Sequence, residues 1–127
     1  MAHNPDAALY LSEKIDEMFI KGKIYAVIGM FRDKDISGTV FPLKTKIDYW
    51  YASPLKNSRT ATIDQLQNTL PINNTFFSNS IDETYKKLRK LVKKEDVILV
   101  FGSFVTVAEF IIASNIQNHI ILGNTCL

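Results

Sequence analysis

The sequence predicts a three-layer α/β fold with a mainly parallel sheet, and three observations carry that expectation. Two uninterrupted apolar runs, 24–30 (Ile-Tyr-Ala-Val-Ile-Gly-Met) and 97–101 (Val-Ile-Leu-Val-Phe), lack the polar alternation of a half-exposed strand; strands covered on both faces read this way. Helix-start signatures recur along the chain, with Thr62 and Gln65, Ser80 and Glu83, and Thr106 and Glu109 all at capping-box spacing. The polar connections between these segments are a few residues long, the habit of alternating strands and helices joined by right-handed crossovers.

In chain order, Asn4-Pro5 opens a first helix, Asn as a favoured N-cap and Pro pre-shaped for the first helical position. Ala8, Leu11, Ile15, Met18 and Phe19 recur at helical spacing as one apolar stripe. Gly22 is suited to a left-handed cap at its end. The strand of 24–30 follows, then a charged loop, Phe31-Arg32-Asp33-Lys34-Asp35. A short helix is expected from Ile36 to about Leu43, with a kink or early break at Pro42, which removes a hydrogen bond and clashes with the preceding turn. The aromatic-rich segment 47–52 reads as a strand, and 53–61 as a polar loop carrying Arg59.

The Thr62/Gln65 pair starts a helix that Pro71 stops, and Thr75-Phe76-Phe77 is a short strand near a sheet edge. The helix begun by Ser80 buries Ile81, Tyr85, Leu88 and Val92, while Lys86, Lys87, Arg89, Lys90, Lys93 and Lys94 lie largely elsewhere on it. This basic run is read as a solvated face rather than a nucleic-acid surface. The strand of 97–101 then leads through Gly102 into a last helix, begun by Ser103 or Thr106. One more apolar patch, Ile120-Ile121-Leu122, lies in the tail.

A chain of 127 residues suffices for one domain with a real core, and 46% apolar with 22% charged residues is ordinary for a globular protein. A net charge of +2 does not argue for nucleic acid. No apolar run approaches the ~20 residues that span a bilayer, and the basic-then-apolar pattern of a signal peptide is missing. The single Cys126 forms no internal disulfide, and no Cys/His cluster suggests zinc. A cytoplasmic location is expected.

Loops at the carboxyl edge of a parallel sheet are where such sheets bind ligands. Four are expected there or at its margin, carrying His3-Asn4, Asp33-Lys34-Asp35, Arg59 and Gly102-Ser103. Each has a plainer alternative: Asn4 and Asp35 as helix caps, Ser103 as a helix starter, His3 and Arg59 as exposed surface. Together, a cation, an imidazole and a hydroxyl at helix starts suit a small anion such as a carboxylate or phosphate. No nucleophilic triad is credible, since the serine lacks a G-x-S-x-G elbow and the only other histidine is His119. No G-x-x-x-x-G-K-S/T phosphate loop occurs, so the chain is not expected to hold a nucleoside triphosphate alone.

Several motifs, in order over about residues 2 to 112, resemble the C-terminal domain of folylpolyglutamate synthase, in bacteria often bifunctional with dihydrofolate synthase. Ala2-His3-Asn4-Pro5 is similar to the second part of that family's Asp-x-Ala-His-Asn-Pro signature. The segments 27–36, 48–51 and 58–62 resemble its strand with Asp-Lys-Asp loop and the strand and loop that follow. Phe101-Gly102-Ser103-Phe104-Val105-Thr106-Val107-Ala108 resembles its Gly-Ser-Phe-x-Thr-Val-Ala segment.

The resemblance implies a member of the Mur ligase superfamily with a Rossmann-like sheet. It implies an ATP-dependent, amide-forming ligase that adds L-glutamate to dihydropteroate or a folate through an acyl phosphate. It assigns ATP and Mg to the complete enzyme, held mostly by an N-terminal ATP-binding domain, and no tightly bound cofactor to these residues. No nucleic-acid or membrane partner is expected. Carried over by position, His3, Ser103, Lys34 and Arg59 are candidate contacts in the glutamate/phosphoryl region, with Asn4, Asp33, Asp35 and Gly102 in support; no residue is assigned as catalytic by itself and none as a metal ligand.

The signature's leading Asp and an upstream arginine used for ATP are not in the sequence, and Met1 stands where the family has the end of a strand. The expectation is therefore a domain over 1–113 with its first strand missing, and a tail over 114–127 outside the resemblance. By itself it is expected to be inactive. The alternative reading is a non-catalytic α/β module that binds a small anion or another protein.

Overall fold

In the computed structural model, which describes residues 5–114 and 120–122, five helices and five strands alternate in three layers. Helix α1 (Pro5–Glu17) leads to β1 (Ile24–Ile28), α2 (Ile36–Val40), β2 (Tyr49–Ala52), α3 (Ile63–Gln67) and β3 (Thr75–Phe77). Helix α4 (Ile81–Leu91), β4 (Val97–Phe101), α5 (Phe104–Ser114) and β5 (Ile120–Leu122) complete the order. All strand pairs are parallel and the sheet runs β3-β2-β1-β4-β5. The predicted three-layer α/β architecture is the one observed. The segment Ile120–Leu122, read only as an apolar patch, is a strand paired with β4.

Both faces of β1 are covered, which is why its sequence shows no alternation. Ala26 and Ile28 join Leu11, Ile15, Val40, Leu43, Trp50, Leu66, Leu99 and Phe101 in one core layer. Tyr25 and Val27 join Tyr51, Leu55, Ile81, Tyr85, Leu88, Val100 and Phe110 in the other. Helices α1, α2 and α3 therefore cover one face, and α4 and α5 the other. Val92, expected on the buried side of α4, is its C-cap and only partly buried.

The local signals hold at three starts. Thr62 and Gln65 form both halves of a capping box at α3, the Ser80 hydroxyl accepts from the Glu83 amide at α4, and the Asp35 carboxylate accepts from the Gly38 amide at α2. Helix α2 breaks at Val40 into a 3₁₀ turn, Phe41–Leu43, as Pro42 requires.

The end of α1 differs from expectation. The helix stops at Glu17, and Phe19, not Gly22, takes the left-handed conformation, at φ 49. Met18 and Phe19 leave the apolar stripe, Phe19 with 90% of its surface exposed. Gly22 serves close approach instead: a Cβ there would lie 2.4 Å from Asp96 Oδ1 and 2.5 Å from Glu95 backbone. Asp96 uses this proximity, its carboxylate accepting from the Lys23 and Lys93 amides at 2.8 Å each. Asp48 accepts from the Ile24 amide at 2.7 Å. These two carboxylates tie the amino ends of β1, β2 and β4 together.

Candidate functional site

The strand register brings the carboxyl ends of the sheet into one row. Ile28 pairs with Ala52 and with Phe101, and Ala52 with Phe77. The next residues, Gly29, Ser53, Ser78 and Gly102, therefore begin the turns at this edge. From β1 the chain passes to α2 on one face; from β4 it passes to α5 on the other. The gap between β1 and β4 is thus the point where the winding reverses, the position at which open α/β sheets take their ligands.

Gly102 and Gly29 meet there. Gly102 has φ +123, and a Cβ on it would lie 2.1 Å from the Gly29 carbonyl oxygen. No other residue type fits both the backbone conformation and the space. Beyond it, Ser103 is buried (2% exposed) and caps α5: its hydroxyl accepts from the Thr106 amide at 3.2 Å and lies 3.0 Å from Thr106 Oγ1. The Thr106 hydroxyl donates to the Gly29 carbonyl at 2.6 Å. A turn of β4 is thus pinned to the turn of β1 by one side chain.

The expected Thr106/Glu109 capping box does not form, because α5 starts three residues earlier, at the Ser103 cap. Both side chains are used across the molecule instead. Thr106 reaches Gly29, and Glu109 Oε2 accepts from the Lys56 amide at 2.9 Å in the loop after β2.

The loops after β1 and β2 form a second unit at this edge. Phe31 and Thr60 make an antiparallel bridge. The Ala61 amide donates to the Met30 carbonyl at 2.7 Å, and the Arg32 amide to the Arg59 carbonyl at 2.8 Å. Arg32 Nη1 also donates to the Ser58 carbonyl at 2.7 Å, and the Arg59 guanidinium sits 4.7 Å from the Phe31 ring centre, within cation–π range. Asp33 and Lys34 are exposed on the same loop, and Asp35 is engaged as the α2 cap.

Of the predicted site residues, Asp33, Lys34, Asp35, Arg59, Gly102 and Ser103 all fall on turns of this edge. His3 and Asn4 lie outside the described residues, as do His119 and Cys126. Sequence reasoning passed over Arg32, Thr106 and Glu109 as site-building side chains. One signal for the last two was legible: they are polar residues within an otherwise apolar helix. Chemically, the edge offers three cationic side chains, Arg32, Lys34 and Arg59, a capped helix N-terminus and a rigid backbone frame, a set suited to an anion. Among the described residues no group of three or more His, Cys, Asp or Glu side chains is placed to hold a metal ion, and no helix is long and apolar enough to cross a membrane.

Comparison with known proteins agrees with this architecture. The family model described as Mur ligase, glutamate ligase domain, matches residues 1–104. The dihydrofolate synthase/folylpolyglutamate synthase of Buchnera aphidicola subsp. Acyrthosiphon pisum is 57% identical over 111 residues, covering 87% of this chain and 27% of that relative. The solved structure of Escherichia coli FolC in complex with DHPP and ADP has a TM-score of 0.77 at 42% identity, over 84% of this chain and 25% of the other. A bifunctional folylpolyglutamate synthase/dihydrofolate synthase with Mn, AMPPNP and L-glutamate bound has a TM-score of 0.78 at 38% identity, over 87% and 27%. The chain spans about a quarter of the length of the curated relatives it matches.

Proposed function

This chain belongs to the Mur ligase, glutamate ligase domain family, and on that premise we propose that it acts as the C-terminal, substrate-closing part of a cytoplasmic ATP-dependent ligase that adds L-glutamate to dihydropteroate or folates. One observation carries the reading: the family match over 1–104 includes the turns that follow β1, β2, β3 and β4, where Gly102 is packed on Gly29 and the Ser103 cap opens α5. Relatives of this domain carry ADP, DHPP or L-glutamate in their solved structures.

In this reading the incoming glutamate and the reacting phosphoryl group sit against the edge. Lys34 and Arg59 neutralise carboxylate or phosphoryl oxygens, Arg59 with its guanidinium plane already oriented by Phe31. Ser103 sets the N-terminus of α5 toward the anion, and the family resemblance adds His3 and Asn4 as candidate contacts. Asp35 anchors the Lys34 loop by capping α2, Asp33 flanks Lys34 on its other side, and Gly102 allows the turn. ATP supplies the activating phosphoryl group for an acyl phosphate that the amine attacks. In this reading magnesium belongs to the complete enzyme. The 127 residues contain no P-loop, so the isolated chain is expected not to turn over.

The test is a graft. Replacing the C-terminal quarter of the Escherichia coli dihydrofolate synthase/folylpolyglutamate synthase with this chain should preserve ADP and dihydrofolate formation from ATP, L-glutamate and dihydropteroate to within about tenfold. Lys34→Ala or Arg59→Ala in the graft should raise the KM for L-glutamate about tenfold. A folded graft that binds ADP and forms no amide would overturn the reading. Turnover by the isolated chain would overturn its assignment as a dependent domain.

A further inference from the structure

Two α5 side chains, Thr106 and Glu109, make long-range hydrogen bonds, and only the first is explained by the Gly29–Gly102 junction. Thr106 ties the turn of β1. Glu109, three residues on, crosses to the loop after β2, where its Oε2 accepts from the Lys56 amide at 2.9 Å. Its other oxygen, Oε1, is buried with no hydrogen-bond partner among the described residues. A carboxylate placed on an apolar helix, with one oxygen desolvated, is costly to retain unless its one contact is worth holding.

The loop it holds is internally braced, and beside the Lys56 bond its tie to the α4/α5 side is the apolar packing of Leu55. The Leu55 amide donates to Thr60 Oγ1 at 2.7 Å, the Thr60 amide to the Asn57 carbonyl at 3.1 Å, and the Arg59 amide to Asn57 Oδ1 at 2.9 Å. On the other side, Arg32 and Phe31 hold Ser58, Arg59 and Thr60. The loop is therefore braced to the β1 loop, and the Lys56 amide is where a side chain of α5 hydrogen-bonds to it.

We propose that Glu109 is a positioning residue: its carboxylate latches the Arg59-bearing loop to α5 across the switch point and so fixes where the guanidinium stands for an anionic ligand. The latch rests on geometry; its bearing on ligand binding rests on the proposed glutamate-ligase reading. Glutamine keeps an acceptor oxygen at the same reach, whereas alanine removes it.

The experiment uses the full 127-residue chain and its amide NMR spectrum, with L-glutamate as the probe. In Glu109→Ala, the amides of Lys56, Asn57, Ser58 and Arg59 should exchange with solvent about tenfold faster, the scale of one hydrogen bond to a charged group. Those of Ala26, Trp50 and Leu99 in the sheet should keep their protection. L-glutamate affinity should fall about fivefold in Glu109→Ala and return to within about twofold of wild type in Glu109→Gln. Unchanged exchange in the loop, or an equal loss of protection in loop and sheet, would overturn the latch. Unchanged L-glutamate affinity in Glu109→Ala beside a loosened loop would overturn its bearing on the ligand. A wild-type chain that shows no L-glutamate shifts would overturn the ligand-site reading alone, because loop exchange still decides the latch.

Discussion

Gly102 shows how much one residue carries at this edge. Its φ of +123 and the 2.1 Å approach of a would-be Cβ to the Gly29 carbonyl are independent obstacles to any side chain. Gly102→Ala is expected to destabilise the domain by about 3 kcal/mol, read from urea unfolding, because both strained backbone and steric displacement are imposed. Tyr25 gives a different residue-scale prediction. Burial, then the nearby Asp96 carboxylate, with smaller contributions from Tyr49, Tyr51 and Asp48, raises its phenol above 10.0. Burial raises Tyr51 in the same direction, helped by Tyr49. The folded state thus keeps protons that the unfolded chain releases near pH 10. The stability linked to these phenols is complete below that pH and declines as pH rises through the raised folded values. Tyr25→Phe should flatten the alkaline limb of a thermal-stability profile; a limb of unchanged slope would remove Tyr25 from the account.

Among the elements, helices whose starts are purely local could be read directly. Helix α3 spans only Ile63–Gln67, too short to stand by propensity, and depends on its reciprocal Thr62/Gln65 box and on the burial of Leu66. Thr62→Ala should cost about 1 kcal/mol in chemical denaturation. Helix α5 has the same sequence signal in Thr106/Glu109, yet begins at Ser103. Its choice is set by Gly102, which turns the chain immediately after β4, and by the Gly29 carbonyl, which takes the Thr106 hydroxyl at 2.6 Å. The same competition explains Glu109, whose carboxylate serves the Lys56 amide rather than its own helix start. The end of α1 follows the same lesson. Gly22 has the residue type of a left-handed cap, but its lack of a side chain is used by Asp96 and Glu95, which approach it closely.

Across the whole molecule, apolar runs, turn residues and capping pairs determined the class of fold: strands buried on both faces, helices between them, and a row of polar turns carrying Asp33, Lys34, Asp35, Arg59, Gly102 and Ser103. Those signals are local, acting over two to four residues, so they are visible in one sequence. The order β3-β2-β1-β4-β5 was decided only in three dimensions, because strand partners are chosen by which faces can be covered, and covering them needs all the helices. Recruitment of Ile120–Leu122 as a strand beside β4 is of the same kind. So is the site's framework: Thr106 meets Gly29 across 77 positions and Glu109 meets Lys56 across 53. Nothing in local spacing encodes such meetings. They follow from a register that sets Ile28 beside Phe101 and Ala52, and from packing close enough for a single hydroxyl or carboxylate to bridge neighbouring turns.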